Sequence, residues 1–379
     1  MRFRIGTEEL HLGYCSNVHP ATSVDELIAG MGRYAREIRN RLGADRLSVT
    51  LWIPYAVAKE LDSDTVAIRQ LDAALRRHRI DVVSLNGFPC QPHRPGAKYG
   101  VFRPDWTEGP RRDYTETLAR ILVRIMPDDS AEGSISTLPL YWRSRADSET
   151  EQKAVSALRQ ANETLARIQE ESGRLVRVGM EPEPGCIIER VDEAVTFLSE
   201  LRLSHMGLCL DTCHMAVQFE DPASCLAVAE SHQVPVVKAQ LANGLRATDP
   251  RSAAWLGVYD EAACMHQTRE LRPGGVVHGV DDLGTAIAGG LPGDGEWRVH
   301  YHYPLHFQEN STQDFLTRAM KTLLGDGAPV TRHLEVETYT WRLLPPGLRP
   351  ESDEDFIRCL AEELAWARDN LMVLGATTL

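Results

Sequence analysis

Residues 206–214 read MGLCLDTCH. The run is apolar until it ends in an acid. That is the form of a strand covered on both faces, with its carboxylate at the C-terminal end. Similar runs recur along the chain. Strands are predicted at 10–15 (LHLGYC), 47–53, 81–86, 133–138, 175–181, 206–211, 235–241, 297–303 and 333–339. Helices are predicted between them, at 25–42, 64–78, 111–126, 148–172, 191–202, 222–231, 312–324 and 352–373. Strand, loop and helix in alternation argue for an α/β fold with a parallel sheet. A closed (β/α)8 TIM barrel takes eight strands, and the ninth candidate falls in the Gly-rich stretch 242–332. We therefore expect a single TIM-barrel domain over 1–379 with long insertions at its C-terminal face. One is a Pro- and Gly-rich active-site loop at 88–110; the other is 242–311, after strand seven. A doubly wound open sheet is the alternative.

Local signals agree. Ser23 and Glu26 have capping-box spacing, followed by the stripe Leu27, Met31, Ala35, Ile38 and Leu42. Gly43 supplies a left-handed helix end. In the last helix Phe356, Cys359, Leu360, Leu364 and Ala367 form the inward stripe. Arg76-Arg77-His78-Arg79 suits a helix C-terminus, where cations meet the dipole favourably.

The chain has 379 residues, 43% hydrophobic and 25% charged. That composition excludes disorder and fibrous structure. Acidic residues exceed basic ones 54 to 41, for a net charge of −13. No basic stripe exists to neutralise phosphates, so no nucleic-acid partner is expected. There is no long apolar run for a membrane span and no basic-then-apolar leader. The eight cysteines are scattered without a CxxC and read as buried, reduced thiols of a cytoplasmic protein. A homodimer is left open, because nothing in the sequence fixes an interface.

Barrel chemistry lies at the C-terminal strand ends. There stand Asn17 and His19 after strand one and Asn86 after strand three. Strand five ends in Glu181-Pro-Glu183, and strand six in Asp211-Thr-Cys-His214. Strand seven carries Lys238 and Gln240, then come His300-Tyr-His302, and Glu335-Val-Glu337 closes the last strand. His300 and His302, two apart on a strand, point the same way and can converge on one cation. Carboxylates with imidazoles suit Zn²⁺, Mn²⁺, Fe²⁺ or Co²⁺. Without a cation, so many buried carboxylates would repel one another and raise their own pKa values.

Plainer readings stand beside these. His300 and His302 could form a polar strand face. Glu183 is read first as a salt-bridge or helix N-terminal charge, and Glu335 as facing the helical layer. Lys238 could pair with Glu181 or Asp211. Asn17 and His19 precede a helix start and suit a turn. Gly274-Gly275 and Gly289-Gly290 read as turns, and neither a GxSxG elbow nor a catalytic-cysteine signature is present.

The run Cys209-Leu-Asp-Thr-Cys-His214 resembles a signature of the xylose-isomerase-like TIM barrels, which include sugar isomerases, sugar epimerases and type IV apurinic endonucleases. Glu181-Pro182 resembles the strand-five metal glutamate, and Glu337-Thr338 the last-strand glutamate. A closer likeness, along the whole chain, is to the EboE-type metabolite traffic proteins: LGYCSNVHP, NGFP, RPDW (103–106), LDTCHMA, HYHYP and HLEVETYTWRLLP all resemble theirs. That name describes gene-cluster context, not a reaction.

The resemblance implies that Glu181, Asp211 and Glu337 ligate a central divalent metal. The fourth ligand is normally a strand-seven histidine, and here that position is Gln240. His214 with His300 and His302 resembles the second metal site of some members, so one or two metals are implied. It also implies that Glu181 and Glu337 act as the catalytic acid and base of a sugar, sugar phosphate or cyclitol isomerase or epimerase. Asn17, His19, Asn86 and Lys238 are the substrate-binding candidates. A metal-dependent phosphodiesterase of the endonuclease kind is the alternative; the net charge and Asn86, where that branch has histidine, argue against it. A barrel that binds a metabolite without converting it is the third reading.

Overall fold

A computed structural model describes every residue except 93–95 and 326; part of the 88–110 loop thus lies outside the described residues. The barrel strands, one to eight, are Glu8–Cys15, Leu47–Trp52, Ile80–Asn86, Glu132–Thr137, Leu175–Met180, Met206–Asp211, Val236–Leu241 and His333–Val336. Each bonds to the next, and the eighth pairs in parallel with the first, His333 opposite His11 and Glu335 opposite Gly13. That closure makes the fold a (β/α)8 barrel and rules out the open sheet. Gly179 is needed for it: a Cβ there would lie 2.9 Å from the Cβ of Cys209 on the neighbouring strand. Strands five and eight end earlier than predicted, so Glu181 and Glu337 each stand one residue beyond a strand end.

The helices form the outer layer. The first predicted helix is broken into Val24–Gly30, a π turn at Met31–Ala35, and Arg36–Arg41. Ser23 Oγ accepts from the Glu26 amide (3.2 Å), but the Glu26 carboxylate reaches back to the Thr22 amide (2.7 Å) instead of Ser23. The last helix, Asp353–Val373, buries Phe356, Cys359, Leu360, Leu364 and Ala367 against the barrel. Burying a side chain the size of Phe356, Leu360 or Leu364 contributes about 1.5–3 kcal/mol. Three helices were not predicted: Tyr55–Ser63, Thr212–Val217 and the single turn Leu283–Thr285.

Between strands seven and eight the chain builds a separate antiparallel sheet from Asn243–Ala247, Thr268–Leu271, Val277–Val280 and Glu296–Tyr303. The last of these is the surplus strand candidate. The other three are only four or five residues long and carry no clear alternation. A second addition is antiparallel pairing of Arg2–Ile5 with strand one, extended by Thr377–Thr378.

Inside the barrel, the lower layer is polar and bonded. His11 Nδ1 lies 3.3 Å from Ser48 Oγ, and Ser134 Oγ bridges Ser84 (2.9 Å) and His333 (2.8 Å). Above it, Lys238 is ion-paired with Glu335, both fully buried. This corrects two expectations. Glu335 faces the barrel interior, because it shares its strand phase with His333 and Glu337. Lys238 pairs with that carboxylate and not with Glu181 or Asp211. Burial disfavours the Lys238 ammonium, yet the neighbouring Glu335 holds its pKa above the ordinary lysine value.

Candidate active site

The mouth of the barrel is built by turns as much as by strands. Asp211 ends strand six, and its Oδ1 accepts from the amides of Cys213 (2.7 Å) and His214 (2.9 Å). It therefore caps Thr212–Val217 and turns His214 inward. The Glu181-Pro-Glu-Pro-Gly185 turn closes on a glycine with φ +99°, where a Cβ would strike the Trp142 ring. The 88–104 loop is pinned at both ends by buried Arg111, whose Nη1 donates to the carbonyls of Gly87 (2.7 Å) and Phe88 (2.8 Å) and whose Nε donates to that of Pro104 (2.8 Å). Phe88 and Phe102 thereby roof the cavity, with Met265 from the insertion.

Three histidines converge. His214 Nδ1 donates to the Pro182 carbonyl (2.9 Å), His300 Nδ1 to Gln267 Oε1 (2.7 Å), and His302 Nδ1 to the Glu337 carbonyl (2.6 Å). These acceptors assign the proton to Nδ1 in every case and leave each Nε2 as a lone-pair donor. The ligand nitrogens of the three rings lie within 4.8 Å of one another, with His214 Nε2 and His300 Nε2 only 3.1 Å apart. Burial lowers the pKa of His214 to about 3 and that of His302 to about 4, so both rings are neutral at pH 7.

Carboxylates surround them. Glu181 and Glu337 are raised well above the ordinary carboxylate range, by burial first and by neighbouring acids second. Asp211 is also raised by burial. Glu337 Oε1 accepts from Asn17 Nδ2 and Asn86 Nδ2, both at 2.8 Å, while its Oε2 has no partner. Asp211 Oδ2 and His302 Nε2, 3.8 Å apart, are likewise buried and unbonded. Unbonded buried acceptors facing one another cost free energy unless a cation or proton lies between them. The donor set of carboxylate oxygens and imidazole nitrogens fits a divalent transition metal.

Of the sequence candidates, Asn17, Glu181, His214, His300, His302 and Glu337 line one cavity, with Asp211 directly behind. Four others do not line it. The Gln240 side-chain oxygen accepts from the Cys209 thiol (3.2 Å), so a neighbouring strand engages the atom that would ligate. Lys238 is held below by Glu335. Asn86 Nδ2 donates to Glu337 and its Oδ1 accepts from the Phe88 amide (3.1 Å). His19 bonds to the Tyr14 hydroxyl (2.9 Å) and stacks on Tyr34 at 4.4 Å.

Glu183, read first from the sequence as a salt-bridge or helix N-terminal charge, lines the cavity, as do Gln267 and Tyr339, which the sequence did not single out. Glu183 stands two residues beyond Glu181, a spacing that could have flagged it. Gln267 lies in the insertion and had no signal.

A family model described as xylose isomerase-like TIM barrel matches residues 39–251. The chain belongs to this family. No curated protein matches the sequence significantly. Among solved structures, the probable 3-DHS dehydratase AsbF of Bacillus anthracis is similar at 10% identity and TM-score 0.53, over 95% of this chain and 99% of that one. A xylose isomerase-like TIM barrel protein of Mycobacterium smegmatis in complex with magnesium matches at 11% identity and TM-score 0.52, over 96% and 97%. A D-psicose 3-epimerase in the presence of D-fructose matches at 10% identity and TM-score 0.51, over 96% and 99%. At these identities the likeness is one of fold. Among the described residues, no helix is long and apolar enough to cross a membrane.

Proposed function

We propose that this xylose isomerase-like barrel is a metal-dependent isomerase or epimerase of a sugar, sugar phosphate or cyclitol. The observation that carries this reading is the convergence of three neutral imidazoles on buried, unbonded carboxylate oxygens at the strand ends. Glu181, Asp211 and Glu337 would hold one divalent cation (Mn, Zn, Fe or Co), and His214, His300 and His302 a second. Such a cation would polarise a substrate carbonyl and its adjacent hydroxyl. The likeness to EboE-type metabolite traffic proteins belongs to the same reading, as does a cytoplasmic setting, which the eight buried free cysteines favour.

The chain's own residues supply the proton chemistry. Glu337 is held by two amides on Oε1, which leaves Oε2 to take the proton next to the carbonyl. Glu181, the other carboxylate of the pair, would carry a proton on the oxygen not engaged by the cation and return it to the opposite face. The pair ends with protonation states exchanged, and proton exchange with water resets it. Asn17 Oδ1, buried and unbonded, is available to accept a substrate hydroxyl. Phe88 and Phe102 line the same cavity and would limit water at the reacting carbon.

Solvent-deuterium exchange tests the reading. Metal-loaded protein in D2O should incorporate one deuterium at carbon into some member of a panel of ketoses, their phosphates and ketocyclitols. No incorporation across that panel by protein shown to carry metal would sink catalysis and leave the metabolite-binding reading. Salt-sensitive cleavage at abasic sites in DNA would favour the phosphodiesterase instead.

A further inference from the structure

We propose that Glu183 is an additional ligand of the cation centre formed by His214, His300 and His302, and that Gln267 is the positioning residue that aims both Glu183 and His300 at it. The inference deepens the metal-dependent reading and rests on it.

Glu183 is 3% exposed, and its Oε2 lies 3.1 Å from His214 Nε2. That nitrogen carries no proton, because His214 donates from Nδ1 to the Pro182 carbonyl. A carboxylate oxygen against a bare ring nitrogen is repulsive unless something positive is shared between them. The same holds for the 3.1 Å approach of His214 Nε2 to His300 Nε2. Both short contacts involve one nitrogen, so one cation at that point would relieve both.

Gln267 sets this arrangement. Its Nε2 donates to the Pro184 carbonyl (2.6 Å) and to Glu183 Oε1 (2.9 Å). The carbonyl can only accept, so the orientation of the amide is fixed. Its oxygen must then accept from His300 Nδ1 (2.7 Å), which turns His300 Nε2 inward. One amide thus engages Glu183 Oε1, leaves Oε2 toward the histidines, and selects the His300 tautomer. Partners of this kind, one bond removed from the metal, orient ligands and tune affinity. Three neutral imidazoles and one carboxylate suit Zn²⁺ or Co²⁺ in four-coordinate geometry.

The test uses Co²⁺ with the metal-free full-length protein, read by calorimetry and by visible absorption. Wild type should bind Co²⁺ with the intense visible bands of a four-coordinate site. E183Q keeps side-chain volume and should lose at least about tenfold in affinity, with weakened, shifted bands. Q267L leaves Glu183 in place and should cost about 10- to 100-fold, so it carries the test if E183Q does not fold. Unchanged affinity and spectrum in either folded variant overturns the proposal. Absence of Co²⁺ binding by wild type overturns the metal-dependent reading itself, a distinguishable result.

Discussion

The barrel interior holds two polar layers built from overlapping residue types with opposite hydrogen-bond states. In the lower layer His11 bonds to Ser48, and Ser134 joins Ser84 to His333; above these Lys238 and Glu335 are an ion pair. In the upper layer Asp211 Oδ2, His302 Nε2, Glu337 Oε2 and Asn17 Oδ1 are as deeply buried and have no partner. A buried histidine alone therefore says little about function. Whether its lone pair is already engaged separates a structural polar group from one held for a ligand.

The sharpest way to break this contrast is Asp211→Asn. The remaining side-chain oxygen can still cap Thr212–Val217, so stability should change by less than about 1 kcal/mol. The unbonded carboxylate oxygen is gone, and Mn²⁺ or Co²⁺ affinity should fall more than about 100-fold by calorimetry. An unaltered affinity would place the cation elsewhere. Next in size, Glu337→Gln should slow deuterium incorporation about 10²- to 10⁴-fold, with the fold intact by circular dichroism. Retained exchange would remove Glu337 from the proton chemistry.

Acid should act on the layers differently. Glu181, Glu183 and Glu337 have folded pKa values raised above the carboxylate range. Cation binding competes with protons for the ligating oxygens, so the gain in Tm on adding metal should grow from pH 5 to pH 8. A gain independent of pH would contradict ligation by these groups. In the lower layer, burial drops the pKa of His11 from 6.5 to about 3. The unfolded chain takes up that proton first, so this residue's contribution is lost as pH falls from about 6.5 toward 3. The slope is at most about 1.4 kcal/mol per pH unit. His11→Gln should flatten that part of the stability profile and leave metal affinity alone. The smallest effect is expected from Ser134→Ala, which strips His333 and Ser84 of a shared partner. Denaturant titration should show a loss of about 1–2 kcal/mol, again without change in metal binding.

Much of the architecture was legible from local pattern. Near-continuous apolar runs mark strands buried on both faces, and six of the eight barrel strands carry four apolar residues each. Strand eight, four residues in the structure, was read too long because the apolar and polar alternation continues into the turn. The candidate site was legible where residues at a strand end or two apart on a strand share a direction, as with Asp211 and with His300 and His302. It was less legible where orientation depends on a turn: Glu183 stands at a strand end in the sequence, but only the turn through Gly185 brings it against His214.

The sequence by itself determined the alternation of strand and helix, the acids at the ends of strands five, six and eight, and the pairing of His300 with His302. These follow from apolar periodicity and residue spacing, which are properties of adjacent residues. Tertiary structure alone decided which polar groups are already bonded. Asn86 is 251 residues from Glu337, His214 is 86 from His300, and Gln267 is 84 from Glu183. No local rule sets those contacts. Barrel closure and the insertion's fold over the mouth do, and they separate Lys238, balanced by Glu335, from the carboxylates and imidazoles left open to a cation.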